Sequence, residues 1–593
     1  MEAGSEKNSK FDIGKRVARL LLAVVLAAAL WLQIYKIDNI ECESDDKLLV
    51  ESALLVIEGY HPYFGIGYAM TPTWIWAAAL NAGLISPHLA NILKFTKQGR
   101  LEDVLRIIDR SRWPVFTDPN FIINRLRWVN AFAALGVILF AYLLAVRLSG
   151  SRIAGLTAAS ICALSPIIIE YGADFHPDQF LALNICACVY FCINEAEAKG
   201  KYQWLIAAIF LGAGVATKFN GGVFWIPLVI AIYLGGQTQP RKIIYGRILV
   251  ASIVSAAVYM ILNPYFLADF GHFIKRVLFA LYNYYGAPAK SQRESGFIKV
   301  IVALRVGIGY AALLLAVVGL VLGLARRVRG FYVLISGIVC FGVLMGSSSM
   351  TVDRYIFVLI PLISALSGVG LTAISRSVPS RLTWMTALAL FVISLPVYAT
   401  SHILKTRANG DTRTLARLWI YEHVPPGSRI FLCGYYYPDL PYDRVSTDFW
   451  RKYFADILVN RTPPQYVGFF GQSKISSSAN SMGNYSSFPT EFFRDEILSE
   501  ERFFYKCFSY MAEMDEPPFP AYNLIVCSIM KGDPSLVNDF KRYWVIVTPK
   551  ASSELPAGLA AQVKQNGKVV ARFSNRGKMG PDLDIYEIDK VGP

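Results

Sequence analysis

From Arg16 to Thr400 this chain is a succession of apolar runs, each of about 17 to 25 residues, the length a helix needs to cross a bilayer. Inside lipid the backbone has no water to bond to, so each run must close its own hydrogen bonds as a helix. Basic loops favour the cytoplasmic side and so fix which way up each span sits. Lys7, Lys10, Lys15, Arg16 and Arg19 place the N-terminus inside. The loops Arg147 to Arg152, Arg241 to Arg247, Arg326 to Arg329 and Arg376 to Arg381 then also fall inside, provided that Tyr68 to Leu84 does not cross. That segment carries Thr71, Pro72, Thr73 and Asn81 and suits the interface instead. The chain is thus expected to be a polytopic α-helical membrane protein with about eleven spans. They lie near residues 17–35, 127–147, 152–170, 179–195, 203–217, 220–235, 245–265, 299–324, 331–346, 355–375 and 384–400. The loops 36–126, 171–178, 263–298 and 347–354, and everything after Thr400, face outward.

Composition agrees. Of 593 residues, 54% are hydrophobic and 17% charged, where a soluble protein carries about a quarter. The net charge of +15 is partly the positive-inside signature. No basic run is interleaved with aromatics, so nucleic acid is excluded as a partner. The nine cysteines lack metal-ligand spacing. Cys162, Cys186, Cys188, Cys192 and Cys340 fall in spans, as small packing residues. Cys42, Cys433, Cys507 and Cys527 fall outside, where disulfides can form. The first span reads as an uncleaved anchor behind a cytoplasmic stretch, residues 1–16.

Two outward segments have the spacing of helices lying on the membrane surface, Leu101 to Arg110 and Phe266 to Tyr285. After Thr400 the periodicity changes. Thr412 to His423 reads as an amphipathic helix stopped by Pro425-Pro426-Gly427. Arg429 to Cys433, Tyr522 to Ser528, Tyr543 to Thr548 and Asp582 to Ile588 read as strands, with helices at Glu491 to Tyr510 and Asp533 to Lys541. This alternation describes an extracytoplasmic α/β domain over 401–593. Phe470 to Pro489, rich in Ser, Gly and Asn, reads as a loop.

With orientation fixed, the unusual polar residues gather on the outer side. Asp45 and Asp46 follow the first span. Asp174, His176 and Asp178 fill the loop between the third and fourth. Lys218 ends the fifth, Asn263 the seventh, and Asp353-Arg354-Tyr355 opens the tenth. Each alone could be a snorkelling anchor. Together, acids from two outward loops with outward cations make a site for an anionic ligand and an acid–base reaction.

The stretch Asp45-Asp46 to Gly59, followed by His61-Pro62 and Thr71-Pro72-Thr73-Trp74, resembles the first outward loop of the protein mannosyltransferase-like and aminoarabinose transferase-like glycosyltransferases of the GT-C class. Ala154 to Pro166 with Asp178 to Leu183 resembles that family's third span, second acidic loop and fourth span. Thr217-Lys218 with Gly221-Gly222 resembles its loop after the fifth span, and Trp419 to Gly427 its entry to the outward domain. The first acid pair is Asp-Asp here, where Asp-Glu is common in the family.

The resemblance implies inverting transfer of a hexose or pentose from a polyprenyl-phosphate donor to a lipid, glycan or protein acceptor. It also implies a place in the inner membrane of a bacterium. It assigns Asp45 as general base and Asp178 to orienting hydroxyls. Asp46, His61, Asp174, His176, Lys218 and Arg354 become substrate-binding residues, with Lys218 and Arg354 on the donor phosphate. No cofactor is required by this pattern, and Asp45 with Asp178 are the acids that would hold a divalent metal. Two other classes compete, a lipid-linked sugar flippase and a non-catalytic scaffold. The first needs mid-membrane charges and repeated broken helices, and the second leaves Lys218 and both acidic loops unexplained.

Overall fold

A computed structural model describes residues 14–40, 49, 53, 70–85, 89–104, 119–264, 270, 274, 295–348, 353–375, 396–433, 440, 523–526, 542–547, 557–576, 578–579 and 581–589. These form two compact units. The first draws on described residues of 14–35, 70–77 and 126–404, the second on those of 36–57, 78–125 and 405–589.

The first unit is a helical bundle. Its elements are α1 (Lys15–Ile34), α2 (Met70–Ile85), α3 (Leu89–Lys97), α4 (Pro119–Ser149), α5 (Arg152–Ala163), α6 (Pro166–Gly172), α7 (Asp178–Ala196), α8 (Gln203–Thr217), α9 (Trp225–Gly235), α10 (Arg241–Leu262), α11 (Gly296–Ala325), α12 (Arg329–Gly346) and α13 (Leu359–Ser375). Of the helices named, α3 belongs to the second unit, and α2 and α4 are shared between the two. Each expected span from 17–35 to 355–375 overlaps helical structure, 152–170 as the two helices α5 and α6, and 384–400 falls largely outside the described residues.

The expected number of full spans is not reached among the described residues. Seven helices are long and apolar enough to cross a membrane, or eight if α5 and α6 form one span bent by 59°. The bend falls at Ser165-Pro166, because a proline at the first position of α6 ends the preceding hydrogen-bond ladder. α8, with 15 residues, and the stretch Phe219–Gly235 are apolar but shorter than those seven helices. The two expected surface helices lie mostly outside the described residues.

Tyr68 to Leu84 proves to be largely helical, as α2. Its side chains bond to the ends of spans. Thr71 donates to the Ala213 carbonyl near the end of α8, and Trp74 to the Leu262 carbonyl at the end of α10. Both lie on the end expected to face outward.

Small residues let helices touch in lipid, where apolar burial against neighbours gains little over contact with acyl chains. A Cβ on Gly319 of α11 would overlap the Leu366 carbonyl of α13, and one on Gly370 the Leu315 carbonyl in return. Every residue of α13 from Leu359 to Thr372 is buried. Charge divides the bundle along its length. At one end Arg147 pairs with Glu197 at 2.7 Å and Arg247 with Glu195 at 3.2 Å. Arg329 there donates to the Leu234 carbonyl and Gln237, both at 2.9 Å. About 28 Å away along the 19 residues of α7, its first residue, Asp178, stands at the opposite end.

The second unit carries α14 (Thr412–His423), α15 (Ala557–Asn566) and a five-stranded sheet. The strands are β1 (Arg429–Cys433), β2 (Asn523–Val526), β3 (Arg542–Val547), β4 (Gly567–Phe573) and β5 (Leu583–Asp589), in the order β2-β1-β3-β5-β4. β1 pairs parallel with β2 and β3, while β5 runs antiparallel between β3 and β4. The β1 residues are buried throughout, as a central parallel strand requires. Asp411 caps α14, accepting from the Arg413 amide at 2.8 Å. Cys433 is disulfide-bonded. Cys42, Cys507 and Cys527, the expected helices at 491–510 and 533–541 and the loop 470–489 lie outside the described residues.

Candidate functional site

The site is built where α7 begins. The turn 173–177 reverses the chain between α6 and α7, and polar side chains hold it. Gln179 Nε2 donates to the carbonyls of Tyr171 and Asp174, the latter at 2.9 Å. Asn130 of α4 donates to the carbonyls of Asp174 and His176, at 2.5 and 3.2 Å. Its own oxygen accepts from Trp76 Nε1 at 2.7 Å. Trp76 also packs on Phe175, with centroids 4.1 Å apart. The turn is therefore clamped from two helices and presents its side chains in fixed places.

Asp178 and Lys218, 40 residues apart, meet in a buried ion pair, Nζ to Oδ1 2.8 Å. Lys218 is placed by the end of α8. There Thr217 closes the helix, Lys218 turns extended, and Phe219–Phe224 continue as a 3₁₀ turn. Its ammonium also lies 4.1 Å from the centre of the Tyr355 ring, a distance at which the ring face attracts a cation. Tyr355 opens the span 353–375 in a second 3₁₀ turn, Asp353–Val358. The preceding Arg354 sends Nη1 to His176 Nε2 at 2.5 Å. His176 Nε2 also lies 3.3 Å from Asp174 Oδ2.

Five of the residues singled out in the sequence thus come together: Asp174, His176, Asp178, Lys218 and Arg354. They come from three separate chain segments, at the end of the bundle away from the Arg147 and Arg247 pairs. Asp45, Asp46 and His61 lie outside the described residues. Among the described residues, no three His, Cys, Asp or Glu side chains are grouped to hold a metal ion.

Several supporting residues were not singled out from sequence. Tyr355 was named only as a neighbour of Arg354. Asn130 and Gln179 carry a readable signal, an amide inside an otherwise apolar run, and Trp76 carries none.

The architecture has known counterparts. A crystal structure of ArnT from Cupriavidus metallidurans in the apo state superposes with a TM-score of 0.50 at 11% identity, covering 96% of this chain and 98% of that one. The chain has the GT-C glycosyltransferase fold. Within that fold, residues 120–266 match the family described as dolichyl-phosphate-mannose-protein mannosyltransferase, a stretch that includes the 173–178 turn and Lys218. Weaker superpositions are with the same ArnT bound to undecaprenyl phosphate, TM-score 0.44 at 12% identity over 98% of this chain and 100% of that one, and with the Archaeoglobus fulgidus oligosaccharyltransferase in the apo form, TM-score 0.43 at 11% identity over 69% and 59%. No curated protein sequence matches significantly.

Proposed function

We propose that this integral membrane protein is a glycosyltransferase. It moves a hexose or pentose from a polyprenyl-phosphate donor to a hydroxyl of a lipid, glycan or protein acceptor at the outer face of the membrane. The observation that carries the reading is the pair of cations Lys218 and Arg354. They converge on Tyr355, 4.1 and 5.8 Å from its ring, at one end of an apolar bundle. A lipid-borne phosphate reaches such a place from the bilayer, and a cation there acts on it through a lower dielectric than water. The family match over 120–266 supports a donor of that class.

In the reaction the acceptor oxygen attacks the anomeric carbon, the bond from that carbon to the phosphate oxygen breaks, and polyprenyl phosphate leaves with the electron pair. Asp45 accepts the acceptor's proton as general base, assisted by Asp46 and His61 in substrate binding. Lys218 and Arg354 offset the charge that develops on the leaving phosphate. Asp174 and His176 hold Arg354 in place, and Asp178 holds Lys218. Inversion follows from attack opposite the leaving group. The step as written needs no metal, and an ion at Asp45 and Asp178 would add to the charge stabilisation. The outward placement of 401–593 is supported by the disulfide at Cys433, since such bonds persist in oxidising compartments. The inner membrane of a bacterium is the compartment this reading takes.

The test is release of polyprenyl phosphate from sugar-charged lipid by the purified protein, with Asp45→Asn as control. Turnover that requires Asp45 supports the proposal. No release from any charged lipid rejects it.

A further inference from the structure

Besides Gln179 Oε1, three buried acceptor oxygens at the site have no hydrogen-bond donor among the described residues: Asp178 Oδ2, Asn220 Oδ1 and Asn263 Oδ1. Asp178 is 3% exposed and Asn263 fully buried. Buried polar atoms nearly always find a partner, because leaving one unmatched forfeits its hydration. Three such atoms in one neighbourhood call for a common explanation.

They belong to one connected patch. Asp178 bonds Lys218 through its other oxygen. Asn220 follows Lys218 by two residues, in the 3₁₀ turn Phe219–Phe224. Phe219, between them, lies 6.4 Å from the Tyr259 ring of α10. The Tyr259 hydroxyl accepts from Asn263 Nδ2 at 2.9 Å. Turning the Asn263 amide round would exchange which of its atoms is unmatched, but would not match both.

The chemistry of the patch selects its occupant. As placed, all three atoms accept hydrogen bonds, so a phosphate, which offers none when ionised, gains nothing from them. The Asp178 charge is already balanced by Lys218, so a free ammonium gains little, and among the described residues no three His, Cys, Asp or Glu side chains are grouped here to hold a metal ion. A ring bearing several neutral hydroxyls satisfies the set. Lys218 bonds Asp178 of this patch and lies against the Tyr355 ring, which matches a donor whose sugar and phosphate are joined by one bond.

We infer that Asp178, Asn220 and Asn263 form the subsite that holds the hydroxyls of the donor sugar, and that Asn220 and Asn263 discriminate among sugars. This rests on the glycosyl-transfer reading and adds to it the residues that read the sugar.

The full chain in lipid nanodiscs is titrated with undecaprenyl phosphate alone and with the same lipid carrying mannose, glucose or arabinose. The wild type is expected to bind one charged lipid more tightly than the bare phosphate. Asn263→Leu and Asn220→Leu should each weaken that binding by about 10-fold, the worth of one hydrogen bond in a closed site. Affinity for bare undecaprenyl phosphate should stay within about twofold, which also shows that the variants fold. Asn263→Asp keeps an acceptor oxygen, and Tyr259 can turn to donate, so most of the sugar preference should survive. Equal losses on charged and bare lipid would reduce Asn220 and Asn263 to structural residues and overturn the inference. So would an unchanged sugar preference, or a wild type with none. A wild type that binds neither form would overturn the glycosyl-transfer reading itself.

Discussion

Replacing Lys218 by Met removes one half of a buried ion pair while keeping most of the side-chain volume. At 2.8 Å and an effective dielectric of about 20, the gross attraction is about 6 kcal/mol, much of it offset by the cost of taking both ions out of water. What remains when only one partner is removed is the stranded charge. Asp178 would then lose the contact that now balances it, since Oδ2 has no donor among the described residues. Such losses cost about 3–5 kcal/mol. Asp178→Asn should cost less, because the Lys218 ammonium keeps the Tyr355 ring, a contact that contributes up to about 2 kcal/mol when desolvated. The double variant Lys218→Met with Asp178→Asn leaves no stranded charge and should recover most of the stability.

The assay is equilibrium unfolding of the four proteins in one detergent, analysed as a double-mutant cycle, with turnover measured in parallel. Stability should return in the double variant while turnover stays absent, because the cation for the phosphate has gone. Single effects that add to within about 0.5 kcal/mol would refute the coupling. Turnover that returned with stability would refute a role for Lys218 beyond folding.

Asp45→Asn should lower turnover by about 10²–10⁴-fold with normal folding, and Asp46→Asn by less, read as initial rates; the opposite ranking would move the base by one residue. Tyr355→Phe should retain the ring contact with Lys218 and near-wild-type donor affinity, whereas Tyr355→Leu should weaken donor binding by about 2- to 30-fold in a titration. A membrane-impermeant thiol reagent applied from outside should label a cysteine at Ser477 and miss one at Ser151; the reverse pattern would invert the topology.

Much of the bundle was legible because lipid leaves the backbone few options. Each apolar run had to be helical, and the basic loops had one side to share. Arg147, Arg247 and Arg329 do cluster at one end, and Lys218 and Arg354 stand at the other. The count of full spans was less legible. Pro166 bends one apolar run by 59°, and the 3₁₀ turn after Lys218 shortens the helical path, so run length overstates what crosses.

In the second unit Thr412–His423 was readable to the residue, since Asp411 caps it and Pro425 follows. The strands β1, β2, β3 and β5 carried dense β-branched and aromatic runs. β4 and α15 were missed because Gly567-Lys-Val-Val-Ala-Arg-Phe573 is half-exposed and takes its conformation from pairing with β5. The candidate site was legible as a collection of residues but not as contacts. The Asp178–Lys218 bond joins residues 40 apart and depends on how α7 and α8 pack, which neither segment encodes alone. Asn130 could have been found as an amide in a lipid-length helix, but its task of pinning the 173–177 turn could not.

The most direct measurement is the fate of the lipid carrier. Purified protein is incubated with radiolabelled polyprenyl phosphate charged with sugar and with an acceptor-containing envelope extract, and the carrier is followed by thin-layer chromatography. Glycosyl transfer converts the charged lipid to free polyprenyl phosphate, one for each sugar that appears on acceptor, and Asp45→Asn slows the conversion by about 10²–10⁴-fold. Charged lipid that changes leaflet yet stays charged would contradict transfer and point to a flippase instead.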